Sequence, residues 1–207
     1  MITDPILLLL GVPFVTSPFI YLVGRLTIRT QALRQWVNPA RWLSLLVLLI
    51  ACLPLYQAYL QYSLSGAFTR TYGGIALRFD GLSLLLGFTV LILGMLVILF
   101  SGAYLRGEAG EEKYYTLLVI LVGSIIGLGC AADLFNLWVW FESMAISSFM
   151  LVTFHREQPA ALEAGMKYLV QSAIGSTLVL LGIAVVLGIT GSLDLETTVH
   201  ETVHHMI

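Results

Sequence analysis

The sequence predicts an all-α integral membrane protein of about six transmembrane helices, and three observations predict it. Of the 207 residues, 58% are hydrophobic and only 11% are charged, whereas soluble domains average about 25% charged. Apolar stretches close to the roughly 20 residues needed to cross the hydrocarbon layer recur along almost the whole chain. The Lys and Arg residues gather in alternate connections between them, the pattern expected when short basic loops are retained in the cytoplasm.

The stretches can be taken in order. The first, Ile6–Gly24, is preceded by Asp4 and by no Lys or Arg, so it lacks the basic n-region of a signal peptide and reads as a span. It contains Pro13 and Pro18, and the second, Trp42–Tyr62, contains Pro54. Proline kinks a helix but is tolerated in a span where neighbours satisfy the freed carbonyls. Between the second and third spans, TRTYGGIALRF places Gly73-Gly74 between β-prone runs, which signals a small hairpin. The remaining spans are Leu82–Leu105, Tyr114–Ala131, Leu134–Phe154 and Pro159–Ile189. The last is longer than a bilayer requires, so it tilts or its polar opening QPAALEAG projects into water. One transmembrane domain, 1–207, accounts for the chain.

The connections after spans one, three and five hold Arg25, Arg29, Arg34, Arg41, Arg106, Lys113 and Arg156, and the opposite side holds only Arg70 and Arg78. Both termini and the hairpin are therefore expected outside, with the protein embedded in a bacterial plasma membrane. The net charge of −2 is too small to suggest a nucleic-acid or acidic partner, since no basic face stands out. Cys52 and Cys130 fall in apolar stretches, where a free thiol acts as a small hydrophobe. Gly123, Gly127, Gly175 and Gly182 form no phosphate loop and are expected to permit close helix contact.

Asp4, Asp80 and Asp133 fall at span ends, within reach of water. Glu142 does not. It lies eight residues after Leu134, about 12 Å into the fifth span, where a charge costs several kcal/mol and usually has a function. Counted from Arg156 in the following turn, Glu142 lies about 21 Å back and Lys167 about 16 Å forward, so a lysine side chain can span the difference. Glu163 precedes Lys167 by four residues, a favourable helical pair, and Gln171 continues the row level with Glu142. Glu163, Lys167 and Gln171 are thus expected to face span five or a cavity. Ser147, Ser172 and their neighbours Ser143, Ser148, Ser176 and Thr177 offer hydroxyls that can orient water. A Glu/Lys pair in a site of low dielectric suits proton transfer, because each pKa unit of coupling corresponds to about 1.36 kcal/mol. The alternative is a structural staple between two helices, with the hydroxyls packing only.

At these residues the sequence resembles a known family. DLFNLWVWFESMAISSFMLVTF and the following LEAGMKYLVQSAIGSTLVLLGIAVVLGITGSLDL are similar to the antiporter-like membrane subunits of respiratory complex I, of Mrp-type sodium/proton antiporters and of membrane hydrogenases. RFDGLSLLLGFTVLILGMLVILFSGAYL resembles the family's third helix, so the likeness runs from about Arg78 to Leu195. It implies a proton-translocating bundle in which Glu142 matches the fifth-helix glutamate and Lys167 the sixth-helix lysine. It also implies about fourteen helices with two inverted repeats. The helices beyond the sixth are therefore expected from another chain or a longer protein, unless the gene is truncated.

His200-Glu201-Thr202-Val203-His204 matches the zinc-hydrolase pattern. A zinc enzyme needs a third protein ligand and an open position, and the motif lies in a tail rather than within a span, so it reads as a linker. The FNLWVWF aromatics read as lipid-facing or packing residues rather than a quinone site. No bound cofactor, metal or catalytic centre is expected in this chain. The leading expectation is a proton-translocating subunit of an NADH:quinone oxidoreductase-type complex, in lipid and beside other membrane subunits. A sodium/proton antiporter subunit and a purely structural subunit are the rivals.

Overall fold

The computed structural model describes residues 4–28, 39–105 and 108–195. Arg29, Arg34, Arg106 and the His200–His204 motif lie outside the described residues. Among the described residues, six helices are long and apolar enough to cross a membrane: α1 (Pro5–Ile28), α2 (Pro39–Ser65), α3 (Gly81–Tyr104), α4 (Glu111–Gly129), α5 (Leu134–Val152) and α6 (Pro159–Thr190). Strands β1 (Phe68–Tyr72) and β2 (Ile75–Phe79) lie between α2 and α3.

The hairpin forms where the glycines demand it. Tyr72 pairs with Ile75 across Gly73 and Gly74, whose φ values are 57° and 90°. A two-residue turn of this hand needs positive φ at both central positions, and glycine supplies it without steric cost. Phe68 stacks on Phe79 with ring centroids 5.7 Å apart. Arg78 N donates to Cys130 O, and Asn136 Nδ2 donates to Ala76 O, so the hairpin is tied to the junction of α4 and α5. Arg70 is 3.4 Å from Asp4, which brings the start of α1 to the same end of the bundle. The isolated bridge between Asp133 and Asp194 brings the end of α6 there too.

The core lies around α4. It packs against α1, α2, α3 and α5, and Tyr115, Val119 and Ile126 are fully buried. Glycines set the approach: a Cβ on Gly123 would come within 3.0 Å of Phe14 and Pro13, and one on Gly94 within 2.8 Å of Val122. On Gly127 it would meet the Trp140 ring at 2.4 Å. Gly123 and Gly127 thus serve the close contact expected of them. Gly175 and Gly182 do not, because a Cβ on either would meet nothing within 4 Å; α6 turns that face outward.

Pro18 has no amide hydrogen for the carbonyl four residues before it, Phe14 O, and Ser17 Oγ donates to that oxygen at 3.0 Å. Asp80 and Asp133 are more than solvated ends. Asp80 closes a capping box with Ser83 at the start of α3, and Asp133 accepts from Asn136 N at 2.7 Å at the start of α5, each satisfying amides that the helix leaves unpaired. Arg41 is also more than a loop charge. Its guanidinium donates to Ile98 O at 3.1 Å and Leu99 O at 2.8 Å, near the end of α3. A side chain on Gly102 would occupy the guanidinium's place.

Burial falls off along the chain. Half of the most apolar window of α4 is buried, against 17% for α5 and 11% for α6. Helix α6 packs mainly on α5, and the rest of its surface is open.

Candidate functional site

Glu142 sits two turns into α5 and is half-buried. Its Oε1 accepts a hydrogen bond from Ser176 Oγ of α6. Ser176 is 5% exposed and itself accepts from Trp138 Nε1 at 2.8 Å. The three form a directed file. An indole nitrogen can only donate and a hydroxyl has one hydrogen, so the Trp138 bond leaves the Ser176 hydrogen free for the carboxylate. Trp138 precedes Glu142 by four residues and therefore shares its face.

Next to Glu142 the chain turns toward α4. Ser143 Oγ and Ser124 Oγ are 2.7 Å apart, and Ser147 Oγ donates to Ser143 O at 2.8 Å. Ser124 and Ser147 are buried. A carboxylate bonded to one neighbouring helix is thus followed by a hydroxyl contact with the other. Polar hydrogens in the middle of an apolar bundle are positioned there by both α4 and α6.

Lys167 lies elsewhere. Its Nζ donates to Glu163 Oε1 at 2.6 Å, and the two side chains are 73% and 67% exposed. Gln171 is exposed too, while Ser172 is half-buried. The expected contact between Glu142 and Lys167 is not formed, and the row Glu163, Lys167, Gln171 does not face α5. The reason is rotation and register together. The side of α6 that meets α5 is Gly165, Tyr168, Ser172, Ser176 and Ile183, residues that are buried or half-buried. At about 100° per residue, Lys167 lies roughly 140° around the helix from that row.

The register moves Lys167 further away. Glu142 is 10 residues before the end of α5 at Val152, and its partner Ser176 is 17 residues after the start of α6 at Pro159. The first seven residues of α6, about two turns, therefore extend past the end of α5. Counting both helices from Arg156 missed that overhang. Lys167 is then level with the last turn of α5, about 13 Å along the axis from Glu142. The opening of α6 projecting beyond its neighbour is consistent with the extra length read from its sequence.

Trp138 and Ser176 are what sequence reasoning undervalued. From the sequence, Ser176 reads as one of the hydroxyls that orient water, and Trp138 as a lipid-facing or packing aromatic. The signal for Trp138 was its i−4 spacing from Glu142. Trp140 does pack, with its ring 5.6 Å from Phe14 and against Gly127. Among the described residues, no group of three or more His, Cys, Asp or Glu side chains comes together as a metal site.

Residues 131–206 match the family described as NADH:quinone oxidoreductase/Mrp antiporter, transmembrane. The chain is similar to NADH-quinone oxidoreductase subunit N of Francisella tularensis subsp. holarctica, 32% identical over 127 residues covering 61% of this chain and 26% of the relative. The same subunit of Chloroflexus aggregans is 36% identical over 128 residues, again 61% and 26%. The chloroplastic NAD(P)H-quinone oxidoreductase subunit 5 of Manihot esculenta is 25% identical over 197 residues, 88% of this chain and 26% of the relative. The chain thus spans about a quarter of the length of these curated relatives. In fold it is similar to a chain of the membrane-bound sulfane sulfur reductase, an archaeal respiratory membrane complex, with TM-score 0.80 and 24% identity over 95% of this chain and 39% of that one. A chain of respiratory complex I from Thermus thermophilus gives TM-score 0.68 and 22% identity, covering 90% and 38%. The resemblance to antiporter-like subunits of respiratory membrane complexes therefore stands on both sequence and fold.

Proposed function

We propose that this chain carries part of the proton path of a membrane complex of the NADH-quinone oxidoreductase type, with Glu142 as its proton-binding carboxylate. One observation supports this most directly: an ionisable side chain inside the bundle receives a hydrogen bond from Ser176, backed by Trp138. Intramembrane carboxylates with dedicated partners mark ion and proton pathways. Ser143, Ser124 and Ser147 continue the polar contacts from α5 to α4. The complex would supply the redox chemistry, and this chain would bind no cofactor.

In this reading the end of the bundle bearing Arg25, Arg41, Lys113 and Arg156 faces the cytoplasm of a bacterial plasma membrane, in accord with the basic-loop rule. The hairpin and the Asp4 end face outward. Lys167, with Glu163 and Gln171, belongs to the open side of α6, where a further helix or subunit would complete the path. Such a partner fits the low burial of α6, 11% against 50% for α4, and an exposed ammonium that a neighbouring carboxylate already balances.

The test is Glu142→Gln in the assembled complex, with proton translocation followed in inverted vesicles and assembly checked by native gel. The expected result is loss of most proton translocation with normal assembly. Unchanged translocation would refute the role of Glu142. Sodium-dependent proton exchange without a redox donor would favour an antiporter instead, the other activity in the matched family's description.

A further inference from the structure

Glu112 is the most deeply buried charged side chain among the described residues, 2% exposed. It occupies the second position of α4, and its Oε2 is shielded from solvent with no hydrogen-bond partner. The site is built to hold it there. Gly24 of α1 carries no side chain, and a Cβ at that position would lie 2.4 Å from Glu112 Cβ. Ala40 of α2 closes the same spot, 3.2 Å from that position. Only glycine lets α1 pass directly over the glutamate.

The side chain also lines a cavity of about 640 Å³ between the start of α4, the end of α1 and the turn after α5. Its other ionisable walls are Arg25 of α1, Glu108 and Lys113 near the start of α4, and His155, Arg156 and Glu157 of the turn. Arg41, at the start of α2, directs its guanidinium to the carbonyls of Ile98 and Leu99. None of these cations makes an ion pair with Glu112 within 4.0 Å among the described residues. A buried carboxylate is normally paired, hydrogen-bonded or neutralised. A carboxylate oxygen with no hydrogen-bond partner, on a side chain that lines a cavity with polar walls, is placed to exchange a proton with water there.

We propose that Glu112 is a second proton-binding carboxyl of this chain, loaded from the cavity between α1, α4 and the α5–α6 turn. The proposal rests on the reading of the chain as a proton-handling subunit, and it adds a site about 18 Å along α4 from Ser124, which contacts Ser143 beside Glu142. The step is a plain acid–base exchange: a hydronium ion in the cavity gives its proton to a Glu112 carboxylate oxygen and leaves water.

The experiment uses the full chain in lipid vesicles, with glutamate carboxyl groups labelled with carbon-13, and pH-difference infrared spectroscopy of the protonated-carboxyl band. The expected result is a label-shifted band that titrates in the wild-type protein, is lost in Glu112→Gln and persists in Glu142→Gln. Glu112→Asp is the second variant, since it keeps a carboxyl group and its negative charge while removing the labelled position; the same band should lose its isotope shift. An unchanged band in both Glu112 variants would overturn the proposal. Persistence of the Glu112 band beside normal translocation in Glu142→Gln would refute the role of Glu142 and leave this site intact, so the two failures are separable.

Discussion

The register of α6 on α5 is the prediction with the sharpest geometry. A disulfide requires Cα atoms within about 7 Å. A Cβ on Gly165 would lie 3.5 Å from Thr153 Cβ, within the Cβ spacing of about 3.5–4.5 Å that a disulfide needs, so a Thr153→Cys/Gly165→Cys pair, in a chain whose Cys52 and Cys130 have been replaced by Ala, is expected to oxidise readily. A Glu142→Cys/Lys167→Cys pair is not. With an overhang of seven residues, Lys167 is about 13 Å along the axis from Glu142 and roughly 140° around α6 from the contact face, which puts its Cα beyond bridging distance. The assay cleaves the α5–α6 turn with a protease whose site is inserted between Phe154 and Gln158, then follows whether the halves remain joined without reductant. The expected yield is near complete for the first pair and at background for the second. Equal cross-linking of the second pair would refute the register and restore a direct approach of Lys167 to Glu142.

Three further outcomes follow from the same contacts. Ser176→Ala removes the donor to Glu142 and the acceptor of Trp138; a hydrogen bond to a charged group contributes about 1.5–3 kcal/mol, so the unfolding midpoint in denaturing detergent should fall, with Trp emission shifting as the indole loses its partner. Gly127→Ala drives a methyl into the Trp140 ring, 2.4 Å away, and overpacking of this kind costs about 1–3 kcal/mol; Gly175→Ala, with nothing within 4 Å, should leave the same unfolding curve unchanged. Burial pushes the Cys130 thiol, just beyond α4, up to about 12; the thiolate is the nucleophile, so maleimide labelling at pH 7 to 9 should be absent in the folded protein and complete after denaturation.

Much of the architecture is local enough to be read from residue order. Each span shows as a run of apolar residues, and the hairpin at Gly73-Gly74 needs only a two-residue turn with positive φ. Boundaries moved by a few residues: the first helix runs Pro5–Ile28 rather than Ile6–Gly24, and the fourth stops at Gly129 rather than Ala131. The stop at Gly129 leaves Cys130 and Ala131 to pair with the hairpin. Asp80 and Asp133 at span ends became helix caps, a role their position before an apolar run already suggested. Arg41, which the sequence places in a connection, binds the carbonyls of Ile98 and Leu99 near the end of α3, which depends on partners 57 and 58 residues away.

What the sequence by itself determined is the number of spans, their order and the presence of a carboxylate inside the fifth. Those depend on hydrophobic length and on the cost of charge in lipid, both properties of a short segment. Only the tertiary structure decided which groups meet. The partner of Glu142 is set by where α6 begins relative to the end of α5 and by which row of α6 turns inward. A shift of two turns with a rotation of roughly 140° exchanges an ammonium for a hydroxyl. Neither quantity is written in the spacing of either helix, because both arise from packing between them, chiefly Gly165 against Thr153 and Phe149 and Ser176 against Trp138 and Glu142.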